Sequence, residues 1–274
     1  MLNYNGTLIE KETFQLQSNN RGFAYGDSLF ETIRVIDGQV RFLEDHYFRL
    51  MASMRMIRMQ IPMSFTFDYL TTQIAALLDT TDRASILKVK CTVYRNEGGL
   101  YAPTSNDVSF VLEAIKGEVT LKEHYEIDLF KDHYVCSGLL STLKSSNRLL
   151  NVLSSIFADE NDLDNCLLIN EKKQVVEASN ANIFLVKGTK ISTPELLGGC
   201  IKGIARKKII EMLEKSDVYT IEECAISPFE IMKADEVFLS NAVMGIQSVT
   251  KYRKKQFSTA VGKELSHQFA ALKE

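Results

Sequence analysis

The sequence predicts a two-lobed chain of mixed α/β (α+β) class, with a smaller N-terminal α/β lobe over residues 1–116 and a larger C-terminal lobe over residues 117–274. Three observations lead there. Strand-like and helix-like patterns are interspersed in both halves instead of segregating. A length of 274 residues with 45% hydrophobic content suffices for one large core or two ordinary ones. The segment AIKGEVT, Ala114 to Thr120, sets a glycine among mixed charges where one group of elements ends and another begins.

In chain order, SLFETIRVIDGQVRFL (Ser28 to Leu43) gives two β-rich runs joined at Asp37-Gly38, a dipeptide that accepts the positive φ angles of a tight hairpin turn. The following stretch, EDHYFRLMASMRMIRM, continues into a helix with Leu43, Tyr47, Leu50 and Met54 on one face, and FDYLTTQIAALL forms a second amphipathic helix. Strands over 86–94 and 108–114 complete the first lobe. The second lobe opens with strand patterns at 125–129 and 133–136 and a helix over 145–157. Short strands follow at 166–169, 174–176, 183–186 and 191–192, then a helix over 202–213, a strand at 236–239 and a last helix over 260–272.

A formal charge of −3, mixed in sign along the chain, suggests neither a nucleic-acid groove nor an anionic membrane surface, which leaves small molecules as partners. The apolar runs are too short to span a bilayer, and MLNYNGTLIEKE lacks the basic-then-apolar layout of a signal peptide, so a cytoplasmic location is expected. The five cysteines, Cys91, Cys136, Cys166, Cys200 and Cys224, never form a CxxC pair, which argues for core thiols over disulfides or zinc. His124, His133 and His267 have neither metal-like nor triad-like spacing, so no metal is expected. Met51, Met54, Met56 and Met59 are expected to pack in a core or an interface.

Three features carry chemistry together. Lys144, in STLKSSNRLL, stands at the predicted entrance to a helix, where a lysine is ordinarily solvated; it is also the side chain that forms Schiff bases with carbonyl carbons. GGCIKGIARKKII, Gly198 to Ile210, runs a glycine-rich turn into an amphipathic helix, whose first N–H groups and dipole suit a phosphate. It matches neither the GxGxxG fingerprint nor the P-loop. QVVEASNANIFLV sets Glu177 with Ser179, Asn180 and Asn182 between apolar segments, either as an ordinary turn or as a carboxylate that needs a proton-bearing partner. Pyridoxal 5'-phosphate requires all three: an amine for its aldehyde, a cradle for its phosphate and a carboxylate for its ring nitrogen.

EASNANIF from Glu177, IST at 191–193 and IKGIAR at 201–206 resemble the signature of the class IV aminotransferases, the fold-type IV pyridoxal phosphate enzymes. RGFAYGDSLFETIRV from Arg21 and HYFRL from His46 resemble that family's N-terminal segments. The resemblance implies a two-lobed fold like that of D-amino acid aminotransferase, and a homodimer. It implies Lys144 as the Schiff-base lysine and proton shuttle and Glu177 at the pyridine nitrogen. Phosphate would be held by Arg49, the N–H groups of Ile204 and Ala205, and Ser240 and Asn241, with Asn182 also in the cofactor site. Where some relatives carry threonine, this chain has Ala205 and loses a hydroxyl contact.

The family includes branched-chain aminotransferases, D-amino acid aminotransferases and 4-amino-4-deoxychorismate lyases. Lys144-Ser145-Ser146-Asn147-Arg148-Leu149, SNAVMGIQSV from Ser240 and YRNEGGLY from Tyr94 are each similar to lyase segments. Tyr25 and Arg95 are candidates on the substrate side, against the alternatives of a packed tyrosine and a solvated arginine. A cofactor-binding scaffold and a Rossmann-type nucleotide binder are the competing classes. Lys144 argues against the first, and the missing GxGxxG against the second.

Overall fold

The computed structural model describes residues 1–81, 86–117 and 119–272. The chain divides into two units: Met1–Val119 together with the short segment Lys144–Asn147, and Thr120–Leu143 together with the chain from Arg148 onward.

The first unit is built on a sheet of order β2-β1-β6-β5-β3-β4. Its elements are β1 (Leu2–Tyr4), β2 (Thr7–Ile9), α1 (Arg21–Tyr25), β3 (Ser28–Ile36), β4 (Gln39–Val40), α2 (Leu43–Met56), α3 (Phe67–Leu78), β5 (Ile86–Arg95) and β6 (Val108–Lys116). In β3 the period-two alternation buries Leu29, Glu31, Ile33 and Val35 on one face. The predicted β3–β4 hairpin forms, with Asp37 and Gly38 both at positive φ. Helix α2 buries Leu43, His46, Leu50, Met51 and Met54 at helical spacing, and Thr66 caps α3 by accepting the Tyr69 N–H.

The second unit holds two sheets. Its elements are β7 (Glu126–Leu129), α4 (Leu149–Glu160), β8 (Asn165–Ile169), β9 (Val175–Ala178), β10 (Asn182–Lys187), β11 (Lys190–Pro194), α5 (Ile204–Leu213), β12 (Thr220–Cys224), α6 (Pro228–Lys233), β13 (Glu236–Asn241), β14 (Gly245–Val249), β15 (Lys251–Tyr252), β16 (Lys255–Gln256) and α7 (Ala260–Ala270). One sheet has the order β12-β11-β10-β13-β14 and the other β16-β15-β7-β8-β9. Side chains from both, among them Ile127, Leu167, Ile183, Val237, Leu239 and Tyr252, share one buried core. Strand β10 is therefore apolar almost throughout and emerges as a continuous buried run.

Three expectations are corrected. The helix expected from residue 145 begins at Leu149, because the preceding residues are extended against β3. The strand expected at 133–136 is reduced to a single bridge between Val135 and Asn170. Cysteines 91, 166 and 200 are buried, whereas Cys136 is exposed and Cys224 only partly buried. Of the methionine cluster, Met51, Met54 and Met59 are buried and Met56 is exposed.

Glu236, buried at the start of β13, anchors α7. It accepts the Ser258 hydroxyl at 2.9 Å and the N–H groups of Val261 at 3.1 Å and Gly262 at 3.0 Å, satisfying two orphan donors of the helix. Glu236→Ala should lower stability by about 2 kcal/mol, the scale of charge-assisted hydrogen bonds lost from a buried group. Urea melts read the difference, and an unchanged midpoint would contradict the capping role.

Candidate active site

In the first unit the site grows from the mismatch of a carboxylate in an apolar row. Glu31 stands on β3 between Leu29 and Ile33, only 2% exposed. An ionised carboxyl there must be met by donors. Helix α2 supplies them three residues apart, on the face it turns to β3. Arg49 Nε donates to Glu31 Oε1 at 2.8 Å and Arg49 NH2 donates to Oε2, a two-pronged pairing, while His46 Nδ1 lies 2.7 Å from Oε2. Because a carboxylate only accepts, the proton of this contact belongs to Nδ1, which leaves Nε2 a bare acceptor. Nε2 is buried and has no hydrogen-bond partner among the described residues.

Lys144 joins this group through the backbone. The Phe30 N–H donates to Lys144 O at 2.9 Å, the Ser146 N–H donates to Ser28 O at 3.0 Å, and Leu29 and Ser145 form an antiparallel bridge. Residues 144–146 thus extend the edge of β3 at the end that β4 leaves open. The Lys144 ammonium lies 4.2 Å from the centre of the Phe30 ring, a cation–π contact, and its charge is felt at His46. The lysine expected in the C-terminal lobe accordingly groups with the first unit.

The electrostatics follow from this packing. Burial alone pushes Glu31 upward, but the Arg49 charge and the hydrogen bonds from His46 and Arg49 outweigh it and hold the carboxyl down at about 2. Burial lowers His46 below its ordinary value. The Glu31 hydrogen bond and charge pull it back up, and the charges of Arg49 and Lys144 push it down again.

In the second unit Glu177, 5% exposed on β9, accepts the Ile201 N–H on Oε2 at 2.8 Å. Asn182, the first residue of β10, donates through Nδ2 to Ile201 O at 3.0 Å. The 201–203 turn is therefore held from two strands. Gly203 then caps α5, and the helix starts with no side-chain cap on its N–H groups, Ile204 and Ala205 first. Gly203 has an ordinary φ of −67, so its reason is space: a Cβ there would meet Asn182 Oδ1 at 2.0 Å. Ser240 lies opposite Asn182 in the β10–β13 ladder, with its hydroxyl buried and without a hydrogen-bond partner among the described residues. Asn241 ties the next turn, donating to Asn180 O at 3.2 Å and accepting the N–H groups of Val243 and Met244. Arg148 donates to Leu143 O; burial lowers its pKa and the charge of Glu177 opposes that shift.

The structure thus gathers Lys144 and Arg49 within the first unit, and Glu177, Asn182, Ile204, Ala205, Ser240 and Asn241 within the second. The substrate-side candidates fare differently. Tyr25 ends α1, 39% exposed, with its ring 5.7 Å from that of Tyr101 and the Arg21 guanidinium 5.1 Å above it. Arg95 is neither solvated nor open to a carboxylate. It is 5% exposed and donates to Asp27, to Asn106 and to the carbonyls of Ile57 and Arg58. No two-pronged edge of its guanidinium is left, so the carboxylate-clamping expectation is corrected to a structural tie.

Glu31 was missed by sequence reasoning, although its place in a period-two row with Leu29, Ile33 and Val35 was the available signal. A cavity of about 800 Å³ on the second unit, lined in part by Leu129, Ile169, Phe229 and Met232, contains none of the expected site residues. Among the described residues, no group of three or more His, Cys, Asp or Glu side chains could hold a metal ion, and no helix is long and apolar enough to cross a membrane.

The first unit holds a buried cation–carboxylate cluster near a lysine, and the second holds a glycine-led helix start next to a buried carboxylate. Residues 28–252 match the family model described as amino-transferase class IV, so the chain belongs to that family of pyridoxal phosphate-dependent transaminases and lyases. A putative branched-chain-amino-acid aminotransferase of Methanocaldococcus jannaschii is 27% identical, covering 89% of this chain and 85% of that protein. The aminodeoxychorismate lyase of Vibrio harveyi is 26% identical, covering 84% and 85%. The crystal structure of 4-amino-4-deoxychorismate lyase from Pseudomonas aeruginosa superposes with a TM-score of 0.86 at 25% identity, covering 98% of this chain and 97% of that one. Transaminase and lyase relatives stand at nearly equal identity, and the comparison ends at the family.

The Glu31 cluster predicts a pH dependence. Its carboxyl is at about 2 in the folded chain against an ordinary 4.5, so the stabilisation is complete above pH 4.5 and is lost as pH falls toward 2. The shift corresponds to roughly 3 kcal/mol. His46, also lowered, adds a loss that begins as pH falls below its ordinary 6.5. Urea melts at pH 7, 5 and 3.5 should show wild type losing more stability on acidification than Glu31→Gln; parallel curves would contradict the assignment.

Proposed function

We propose that this chain eliminates pyruvate from 4-amino-4-deoxychorismate to give 4-aminobenzoate, working as a homodimer with pyridoxal phosphate. The residues present fit that cofactor. Ser240 offers a buried hydroxyl with no hydrogen-bond partner among the described residues, α5 a start with no side-chain cap, and Gly203 a close approach to Asn182 that a Cβ would break. Arg49, Ser240, Asn241 and the N–H groups of Ile204 and Ala205 are the residues for its phosphate, with Asn182 shaping the turn below them. Glu177 is the carboxylate for its ring nitrogen, and Lys144 the amine for its aldehyde.

When bound, pyridoxal phosphate supplies an aldehyde for the substrate's amine and a protonated ring that draws off the electrons of a breaking C–H bond. The chain's own groups do the rest. The Lys144 amine, displaced by the substrate's amine, takes the proton from the amine-bearing carbon at Nζ. The Ile201 N–H keeps the Glu177 carboxylate in one orientation. Departure of the enolpyruvyl group as pyruvate lets the substrate ring aromatise, so no second substrate is required.

The observation that carries the lyase reading is the stretch after the lysine, Asn147-Arg148-Leu149. Asn147 Nδ2 donates to Gly26 O at 3.1 Å, and a Cβ on Gly26 would meet Asn147 Oδ1 at 2.3 Å. The asparagine of the lyase-like motif is therefore fitted to the turn that follows Tyr25. The second reading, a branched-chain or D-amino acid aminotransferase using 2-oxoglutarate, is favoured by the Methanocaldococcus relative.

A paired assay separates them. The holoenzyme should release 4-aminobenzoate from 4-amino-4-deoxychorismate with no 2-oxo acid added. Glutamate from leucine or D-alanine plus 2-oxoglutarate, with no 4-aminobenzoate from the first mixture, would overturn the lyase reading. Gly203→Ala should weaken pyridoxal phosphate binding at least about tenfold, since displacing a positioned group by ~1 Å can cost about a hundredfold. Absorbance titration measures it, and unaltered affinity would remove the 201–205 turn from the site.

A further inference from the structure

We propose that Glu31 and His46 are positioning residues for Arg49, fixing one edge of its guanidinium so that its other N–H groups are presented to the cofactor's phosphate in a single orientation. The proposal rests on the reading of Arg49 given above and adds to it the parts that aim the arginine.

The geometry carries it. Glu31 receives three donors: Arg49 Nε at 2.8 Å, Arg49 NH2, and His46 Nδ1 at 2.7 Å. Glu31 and His46 are 2% and 1% exposed. An arginine side chain has several rotatable bonds, and only a partner that grips two of its nitrogens at once fixes the plane of the guanidinium. Glu31 does this from β3, a full-length neighbour of β5 in the sheet, and not from a loop. His46 in turn stops the carboxylate from rotating, because its Nδ1–H holds Oε2 from the side of α2. Glu31 and the His46 that steadies it are thus both held on regular structure.

The charges agree with an aiming role. The groups that act on His46 are Glu31 from β3, Arg49 from its own helix and Lys144 from the extended 144–146 segment, and on balance they and burial keep the imidazole neutral. The Glu31 carboxylate is thus the ionic partner of the Arg49 guanidinium. Cys91 on β5 feels the Glu31 charge, and burial together with that charge raises its thiol, so it adds none of its own.

The substitution chemistry makes the role testable. A glutamine at 31 has a single carboxamide oxygen and an NH2 group, so it cannot receive three donors without turning a donor on a donor. An asparagine at 46 can present an N–H near the place of Nδ1, whereas alanine cannot. The full-length chain would be stripped of cofactor and titrated with pyridoxal phosphate and, separately, with pyridoxal, which has the aldehyde but no phosphate. Glu31→Gln and His46→Ala should each reduce the preference for pyridoxal phosphate over pyridoxal about tenfold, the scale on which groups that orient a ligand-binding residue act. Pyridoxal binding should barely change, and His46→Asn should restore most of the preference.

Equal weakening of both ligands would mean a merely structural role and overturn the proposal. So would an unchanged or raised preference in Glu31→Gln, the result expected if the carboxylate only competes with phosphate for Arg49. If wild type takes up no pyridoxal phosphate, or Arg49→Ala keeps the wild-type preference, the underlying reading of the cofactor site fails instead. Should Glu31→Gln not fold, the His46→Ala and His46→Asn pair decides.

Discussion

A carboxylate set in an apolar row governs the first unit. Glu31 occupies a core-facing position of β3, where an unpaired charge would cost several kcal/mol. Its three donors come from one helix, so α2 has a single acceptable rotation: the one that turns His46 and Arg49 to the sheet while Leu50 and Met54 fill the core beside them. The same strand serves a second purpose. Its edge, uncovered by β4 near Ser28, pairs with residues 144–146 and holds Lys144 against Phe30. One strand therefore fixes both the arginine and the lysine of the proposed site.

In the second unit the same economy appears with backbone donors in place of cations. Glu177 and Asn182, on consecutive strands that belong to different sheets, grip the two sides of Ile201, one taking its N–H and the other meeting its carbonyl. The turn is so tightly held that the residue after next must be glycine, and α5 begins with its first N–H groups unspent on any cap. A helix start suited to an anion follows from two strand side chains and one missing Cβ. A buried hydroxyl with no hydrogen-bond partner among the described residues, that of Ser240, stands in β13, the strand paired with β10.

What the sequence made legible follows from the range of the forces involved. Local signals were sufficient for the Asp37-Gly38 hairpin, for α2 and α3, and for most strands of the second unit, because period and turn chemistry act over a few residues. The helix start at Leu149 was displaced from its predicted place by pairing with a strand more than a hundred residues away, which no local pattern encodes. Arg95 was a candidate carboxylate clamp by residue type, with a solvated arginine as the alternative, yet four of its hydrogen bonds run to groups brought in by the fold. The family was legible because spaced motifs around Glu177 and Gly203 are needed jointly by one ligand, and the match over residues 28–252 agrees. The reaction within the family depends on substrate-side contacts, which short motifs record far less completely.

Lys144, held on the edge of β3 beside the Glu31 cluster, is the proposed covalent carrier of the cofactor. Treating the holoenzyme with borohydride and mapping the modified peptide by mass spectrometry tests it most directly. One pyridoxyl phosphate group per chain is expected, on Lys144 and absent from Lys144→Ala. Modification at another lysine, or a wild type that takes up no pyridoxal phosphate, would contradict it.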